Sequence, residues 1–419
     1  MNSRQRIKKN FNHEQPDKLV VDFGSTLVTG MQASVVYKLR QWYELDDPLT
    51  PVKVIEPYLM LGEIKDDLKG IIGVDFTGLW GKKNLLGFEN HNWKEWKLFD
   101  GTPVLVPGDF NTEVTGDGTI YQYAGGDKKY PPSAKMPKNG FYFDSIKRQR
   151  EIKEEELNPE DNLEEFDLLS EEDLAYFKEE ADRLFSNSEY GIVGSVASSG
   201  FGDICLVQGP MLKNPKGIRD VEEWYISLHT RKKYIKKIFD KQCEIAIENY
   251  KRVYGEVGNK LSVVFVSGTD FGAQNGLFIS KDTFRELFKP FYKRVNTWIH
   301  ENTNWKCFNH TCGSIYELMP EFIEAGFDIL NPVQISATNM SPKVLKKEFG
   351  KYITFWGGGV DTQKLPFRAP DEVKEEVRQL IDIFSKDGGF VFNAVHNIQS
   401  NVPVENIVAM FDVVNEFRR

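Results

Sequence analysis

From about residue 190 to the carboxyl terminus, short apolar runs alternate with helical stretches in units of roughly 30–45 residues. The runs have the apolar content of buried parallel strands; examples are YGIVGSV (190–196), LSVVFVSGTDFG (261–272) and GGFVFNAVHN (388–397). No Gly-x-Gly-x-x-Gly pattern opens any of the helices that follow. The alternation therefore predicts an α/β fold of the (β/α)8 TIM-barrel type rather than a dinucleotide-binding sheet.

Earlier parts of the chain fit the same barrel. Residues 19–24 (LVVDFG) and 71–76 (IIGVDF) are predicted strands, the second ending in Asp75, and residues 33–45 have helical spacing. A helix is expected at 280–303, with Ser280 as its N-cap and Pro290 bending it. We expect one domain over residues 1–419.

An insertion is predicted at about 80–160, where Trp, Gly, Pro and Tyr become frequent. Within it, residues 111–126 indicate a β-hairpin with Gly-Asp-Gly in the turn. Residues 151–173 hold twelve Asp and Glu against one Lys and are interpreted as a solvated linker leading into a surface helix. Exposed aromatic residues in the insertion would allow a homodimer: Trp93, Trp96, Tyr121 and Tyr123.

Composition and charge indicate which partners the protein does not bind and which compartment it occupies. The formal net charge is -9, from 53 basic and 62 acidic residues, and nucleic-acid binders normally carry a basic field. No apolar run approaches the ~20 residues of a membrane span, and the polar start lacks a signal-peptide core. Four cysteines in 419 residues indicate no disulfide framework. We expect a cytoplasmic protein that binds neither nucleic acid nor membrane.

Active sites of such barrels lie at the carboxyl ends of the strands. Polar residues follow the predicted strands at these positions: Asp22, Asp75, Asp270, Gln274, His310, Cys312, Asn331, Gln334, Asp361, Gln363, His396, Asn397 and Gln399. Asp270 and Asp361 are candidate catalytic acids or, equally, loop-capping residues. Four amides are candidates for binding a polar substrate, and closing backbone turns is their alternative role: Gln274, Asn331, Gln334 and Gln399.

His310 and Cys312 are two residues apart, so both can project to one side of a strand end. Imidazole nitrogen and thiolate are ligands that zinc selects, and catalytic zinc sites use three protein ligands. His396, at the tip of a later strand, is the candidate third ligand, with the fourth position open or filled by an oxygen. The alternative is a buried thiol beside a structural histidine.

Several longer segments resemble the uroporphyrinogen decarboxylase superfamily, and most closely its zinc- and corrinoid-dependent methyltransferase branch. They are GTDFGAQNGLFISKDTFRELFKPFYKR, HTCGSIYELMPEFIEAGFDILNPVQ, FWGGGVDTQKLPFRAPDEVKEEV and GGFVFNAVHNIQSNVPVENIVAM, and RQRIKKNFNHEQPDKLVVDFG is similar to the amino-terminal helix and strand. The resemblance implies a (β/α)8 barrel and methyl transfer to or from a corrinoid (cobalamin) carried by a separate protein.

The methyltransferase branch has a His-x-Cys motif followed by a second Cys, and here His396 stands at the second Cys position. Two thiolates cancel the charge of zinc, whereas one thiolate and two neutral imidazoles leave about +1. This stronger Lewis acid favours demethylation of a small O- or N-methyl compound over transfer to a thiol.

Two alternative functions remain at this point. Uroporphyrinogen decarboxylases carry an arginine-rich signature after the first strand, whereas this chain has no arginine between Arg6 and Arg40. A polycarboxylate substrate would be repelled without such arginines, which makes the decarboxylase the weaker alternative. A barrel without catalytic activity, serving as a binding module, is the second alternative.

Overall fold

A computed structural model describes residues 1–197 and 199–418 of the chain. Eight strands form one parallel sheet: β1 (Val20–Val21), β2 (Phe76–Leu79), β3 (Gly191–Gly194), β4 (Leu261–Ser267), β5 (Lys306–His310), β6 (Ile329–Asn331), β7 (Thr354–Trp356) and β8 (Phe390–Phe392). Their spatial order is β1-β8-β7-β6-β5-β4-β3-β2. Between β1 and β2, the Asp75 amide donates to the Val21 carbonyl oxygen at 2.8 Å. The predicted (β/α)8 barrel is confirmed.

Helices surround the barrel strands, and their apolar faces pack on the sheet. The α-helices span Ser3–Phe11, Ala33–Trp42, Asp66–Ile72, Glu171–Asn187, Ile204–Gln208, Val221–Thr230, Lys232–Val257, Lys281–Thr283, Lys289–Asn302, Met319–Glu324, Pro342–Phe349, Pro370–Phe384 and Val404–Glu416. Among the described residues, no helix has the length and apolar character needed to cross a membrane.

The barrel interior is filled by one layer that takes a side chain from every strand: Val20, Phe76, Val193, Val263, Phe308, Ile329, Trp356 and Val391. Ile7 and Phe11 of the first helix pack against this layer. The first helix lies at the amino-terminal end of the barrel, because Asn10 accepts a hydrogen bond from the amide of Phe390, the first residue of β8. The interior is therefore a packed core, and polar chemistry is left to the strand ends.

The predicted helix at 280–303 is confirmed, with an irregular turn just before Pro290. The Ser280 side chain accepts a hydrogen bond from the Thr283 amide, as expected of an N-cap. A π-helical turn, Phe284–Phe288, then precedes Pro290. Proline has no amide hydrogen and clashes with the carbonyl four residues earlier, so the widened turn follows from its position.

Two further sheets, each of four strands, are separate from the barrel sheet. One contains Val52–Glu56, Leu61–Gly62, Lys94–Lys97 and Pro103–Val106, and the other contains Glu113–Val114, Ile120–Gln122, Ala134–Met136 and Asp144–Ser145. The hairpin predicted at 111–126 is confirmed by antiparallel pairing of Val114 with Ile120. The first of these sheets combines two strands that precede β2 with two that follow it, and the single domain and the insertion at about 80–160 remain predictions.

The predicted placement of Asp75 at a carboxyl strand end is wrong. Ile71 and Ile72 end a helix, and β2 begins only at Phe76, so Asp75 lies at the amino-terminal end of the barrel. Its carboxylate accepts hydrogen bonds from Arg6 Nη1 at 2.6 Å and Arg418 Nη1 at 2.7 Å. Asp75 thus joins the two chain ends and takes no part in the opposite face.

The acidic segment is more than a solvated linker. The Glu165 side chain is only 4% exposed and pairs with the buried Arg219, with 2.9 Å between Oε1 and Nη1. The interpretation as a purely solubilising run is therefore wrong for Glu165. The surface helix that follows is confirmed as Glu171–Asn187, with Ser170 forming a capping box.

The aromatic residues expected to be exposed in the insertion are covered to different degrees. Trp93, Trp96 and Tyr121 are half-buried, and Tyr123 is only 5% exposed. The Tyr123 hydroxyl donates to Glu113 Oε2 at 2.7 Å, and Trp96 packs edge-on against Phe110. These rings fold into the insertion itself, so the stated ground for a homodimer is wrong.

Candidate functional site

The carboxyl ends of β5 and β8 bring together His310, Cys312 and His396. His310 is the last residue of β5 and shares the inward face of Phe308, two residues before it. One ligand atom from each of the three residues lies within 4.8 Å of the others. His310 Nε2 is 3.5 Å from Cys312 Sγ, and the two imidazole centroids are 5.4 Å apart. Two nitrogens and one sulfur thus converge at this end of the barrel.

Asn331, the last residue of β6, orients His310. His310 Nδ1 donates to Asn331 Oδ1 at 2.6 Å, while Asn331 Nδ2 donates to the Trp356 carbonyl oxygen at 3.0 Å. A proton on Nδ1 leaves the Nε2 lone pair directed toward Cys312. Both ends of the Asn331 amide are engaged and its side chain is buried, which favours a structural role, and its predicted part in substrate binding stays a prediction.

His396 is held differently. Its Nδ1 accepts a hydrogen bond from the Asn397 backbone amide at 2.8 Å, so the neutral ring carries its proton on Nε2. To bind a metal ion, the ring must exchange this backbone hydrogen bond for the metal. His310 is therefore the better prepared ligand of the two.

Burial of the two side chains lowers the pKa of both imidazoles, so both are neutral at pH 7. Burial lowers the pKa of His310 to about 4 against the opposing hydrogen bond with Asn331. Burial also lowers the pKa of His396 to about 4, with a further contribution from the charge of His310 and an opposing one from Asp270. A neutral imidazole has one nitrogen lone pair for a cation at pH 7; in His310 it is free, and in His396 it first has to give up the hydrogen bond from the Asn397 amide.

Cys312 and Asp270 form the remaining part of the cluster. Burial, followed by the charge of Asp270, raises the pKa of the Cys312 thiol well above its ordinary value. Asp270 Oδ1 accepts from the Cys312 amide at 2.6 Å and lies 4.0 Å from His310 Nε2. Burial also raises the pKa of Asp270. A metal ion here would displace the thiol proton, and Asp270 is the nearest candidate for an oxygen ligand.

The predicted amide residues form the rim of the site. Gln334 Nε2 donates to Gln274 Oε1 at 3.0 Å, and Gln334 Oε1 accepts from the Gly313 amide at 2.7 Å. Gln363 Nε2 lies 3.5 Å from the same Gln274 oxygen. Gln399 Nε2 contacts the Asn397 carbonyl oxygen at 3.5 Å, and its Oε1 has no hydrogen-bond partner in the described chain. Gln334 thereby supports the loop that carries Cys312.

Asp361 and Asp22 are each engaged by contacts of their own. Asp361 Oδ1 accepts from the Gln363 amide at 3.0 Å, and Oδ2 lies 3.4 Å from Lys364 Nζ. Asp361 thus closes its turn, which is the structural alternative considered for it. Asp22 is fully buried, accepts from Trp356 Nε1 at 3.2 Å, and has its pKa raised by burial to about 6.

Sequence reasoning missed Asp203, which lies in the loop after β3. Its Oδ1 accepts from the Cys205 amide at 3.0 Å, and burial together with the charge of Asp270 raises its pKa to about 7. Asp203 follows the strand end, Gly194, by nine residues and was outside the positions expected at a strand tip. The available signal was the N-cap pattern Gly-Asp before the short helix Ile204–Gln208.

Comparisons with known proteins agree with this architecture. Residues 210–417 match the family described as uroporphyrinogen decarboxylase (URO-D). A uroporphyrinogen decarboxylase from Ruthia magnifica subsp. Calyptogena magnifica is 36% identical over 53 residues, which cover 13% of this chain and 15% of that protein.

A solved structure of a methyltransferase from Methanosarcina mazei superposes over the full length of both chains, with a TM-score of 0.56 and 13% identity. At that identity the similarity concerns the fold. Taken with the family match over β4 to β8 and the helices that follow them, the barrel places this chain in the uroporphyrinogen decarboxylase superfamily.

Proposed function

We propose that this chain is a zinc-dependent methyltransferase that moves a methyl group between a small O- or N-methylated compound and a corrinoid carried by a separate protein. The observation that supports it most is the convergence of His310, Cys312 and His396 at the carboxyl end of the barrel. The (β/α)8 fold shared with a Methanosarcina mazei methyltransferase is consistent with this reaction class.

The residues present fit a zinc ion. His310 Nε2 and Cys312 Sγ are 3.5 Å apart, and both imidazoles are neutral at pH 7. His310, Cys312 and His396 would hold the ion, with Asp270 beside them. Zinc bound there would act as a Lewis acid toward the heteroatom that carries the methyl group. Asp270 and the rim amides Gln274, Gln334 and Gln399 would orient the methyl compound.

The donor set bears on the substrate. One thiolate and two neutral imidazoles leave about one positive charge on zinc, which suits an oxygen or nitrogen leaving group better than activation of a thiol. The chain's two imidazoles and one thiol therefore favour demethylation of an ether or amine.

The two arginines that bracket the segment after β1, Arg6 and Arg40, are both paired with carboxylates, which disfavours the decarboxylase alternative. Arg6 is engaged by Asp75 and Asp17 at the amino-terminal end of the barrel. Arg40 pairs with Asp46 and Asp67. Neither arginine is available at the opposite end, where Asp270 adds negative charge.

The test is a methyl-transfer assay with purified protein, a reduced corrinoid protein, and a panel of methyl ethers and methylamines. We expect the corrinoid absorption spectrum to change to that of the methylated form with at least one donor. His310→Ala should abolish this change, and His300→Ala, at the other end of β5, is the matched control that should retain it.

Absence of methyl transfer with every donor would contradict the proposal. In that case, release of carbon dioxide from a porphyrinogen would favour the decarboxylase alternative. Loss of both reactions in protein that is folded and loaded with zinc would favour a barrel that serves as a binding module.

A further inference from the structure

A cavity at the amino-terminal end of the barrel is separate from the candidate zinc site. Its volume is ≈ 90 Å³. That is room for about three water molecules, at ~30 Å³ each. Gln15 and Asp17 in its lining are exposed, so a solute can enter from solvent. Segments from both ends of the chain line it, namely Asn10, residues 15–20, Ser385, Phe390 and Phe417.

Asn10 borders this cavity with an unused hydrogen-bond donor. The residue is 1% exposed, and its Oδ1 accepts from the Phe390 amide at 3.2 Å. That bond fixes which end of the side-chain amide faces β8, and Nδ2 has no hydrogen-bond partner in the described chain. Buried polar atoms are nearly always paired, so the acceptor for Nδ2 has to be a solute in the cavity.

Other polar groups around the cavity are uncommitted as well. Lys18 Nζ forms no ion pair, and neither Gln15 Nε2 nor Ser385 Oγ forms a hydrogen bond, with any described residue. The Gln15 amide is oriented as that of Asn10 is, because its Oε1 accepts from the Asp387 backbone amide at 3.0 Å. The free groups are therefore three N–H donors and one hydroxyl, a set that calls for an acceptor.

The charge around the cavity is positive once its ion pairs are counted. Asp17, the one acidic residue of the lining, accepts from Arg6 Nε at 2.8 Å. Arg6 Nη1 also reaches Asp75 Oδ1 at 2.6 Å, and Arg418 Nη1 lies 2.7 Å from Asp75 Oδ2. Two arginines thus balance two carboxylates, and the ammonium group of Lys18 is left without a counterion.

We propose that this cavity binds a small oxyanion, with Asn10 Nδ2 and Lys18 Nζ as its donors. An oxyanion supplies the acceptors that both groups lack and balances the charge of Lys18. The cavity is too small for a nucleotide or a corrinoid. The site is independent of the proposed methyl transfer, because it lies at the opposite end of the barrel and its lining includes no candidate zinc ligand.

The test uses acetate and bicarbonate as probes, with acetamide as a neutral molecule of the same shape as acetate. A ligand that binds only the folded protein stabilises it, so Tm should rise with ligand concentration and then saturate. At constant pH and ionic strength, we expect this rise with at least one of the two anions and not with acetamide. No saturable rise with either anion would mean that the cavity holds water only, and a rise with acetamide equal to that with acetate would show that charge plays no part. Either result would overturn the proposal.

Three variants locate the binding. Lys18→Gln should weaken it by about 10-fold or more, since a charge-assisted hydrogen bond is lost. Lys8→Gln removes the same charge from an exposed position on the first helix, outside the lining, and should bind as the native protein does. Asn10→Asp keeps an acceptor for the Phe390 amide and replaces the donor with a carboxylate, so it should abolish binding.

Lys18→Gln decides the matter if Asn10→Asp does not fold, because the Lys18 side chain is only half-buried. Equal affinity in the native protein, Lys18→Gln and Lys8→Gln would show that the anion binds elsewhere or acts as a general salt, and it would overturn the proposal.

Discussion

The two ends of strand β5 carry similar sets of side chains that are in different electrostatic states. At the carboxyl end, His310, Cys312 and His396 converge, and at the amino end, the group is His300, Cys307 and Asp328. Both groups have ligand atoms within 4.8 Å of one another. Proximity of metal-ligating atoms alone does not distinguish them.

Charge compensation distinguishes them. Asp328 Oδ2 lies 2.7 Å from His300 Nε2 and accepts from the Cys307 amide at 2.8 Å, while Oδ1 lies 3.0 Å from Lys306 Nζ. The carboxylate is already paired, and a second cation beside the Lys306 ammonium would be repelled. The Cys307 thiol is fully buried, and burial raises its pKa well above the ordinary value. The amino-end group therefore has the properties of a structural ion cluster.

Replacing one histidine at each end should give the largest difference. His310→Ala removes a ligand of a three-residue site, and we expect stoichiometric zinc to be lost from the purified protein. His300→Ala should leave the zinc content at the native value, because His300 serves Asp328. Elemental analysis of both variants measures this. Equal zinc loss, or loss only from His300→Ala, would reverse the comparison.

A smaller effect is expected from Asn331, which touches the metal site only through His310. Asn331→Ala frees the imidazole to rotate and should weaken zinc binding by about 10–100-fold. Competition with a zinc-binding dye measures this affinity. The control is Asn296→Ala, a similarly buried amide bonded to the Ala325 carbonyl oxygen and remote from β5's carboxyl end. Unchanged affinity in Asn331→Ala would show that His310 needs no such support.

A substitution in the amino-end group should change the folding stability of the protein and leave its zinc content unchanged. Burial acts to raise the pKa of Asp328, but the hydrogen bond with His300 and the charge of Lys306 more than compensate, so the pKa lies below its ordinary value. A lowered carboxyl pKa stabilises the folded state above the unfolded pKa of about 3.9, and this stabilisation is lost as pH falls through the folded pKa. We expect Asp328→Asn to lower the free energy of unfolding by about 1–2 kcal/mol at pH 7, and by less below pH ~4.

Urea unfolding at the two pH values measures that change, with zinc content followed in parallel. A destabilisation that does not diminish at low pH would show that the Asp328 charge is not its source. Loss of zinc from Asp328→Asn would contradict the structural assignment of the amino-end group.

The barrel could be predicted from sequence because its strands and helices are specified by patterns within short stretches of the chain. Apolar runs and helical spacing placed every strand from β3 to β8, Ser280 marked a helix start, and Pro290 marked the irregular turn that precedes it. The approach of His310 to Cys312 followed from their spacing on one strand end. In contrast, Asp75 was assigned to the wrong end because the apolar residues before it belong to a helix, which periodicity over six residues cannot distinguish from a strand.

Other parts of the site depend on contacts between distant segments. The engagement of Asn331 by His310, the burial of Glu165 on Arg219, and the approach of Asp203 to Asp270 each join residues at least 21 positions apart. No local pattern records such pairs. They were missed for this reason, and they decide which polar residues support the site and which act in it.

The most direct test of the central assignment is X-ray absorption at the zinc edge on the purified native protein. Our account predicts one zinc per chain with a single sulfur ligand at ~2.3 Å and nitrogen or oxygen ligands at ~2.0–2.1 Å, two of them imidazoles. His396→Cys should add a second sulfur. Zinc with no sulfur ligand, with two sulfurs in the native protein, or absent altogether from protein prepared without chelators would contradict the assignment of His310, Cys312 and His396 as its ligands.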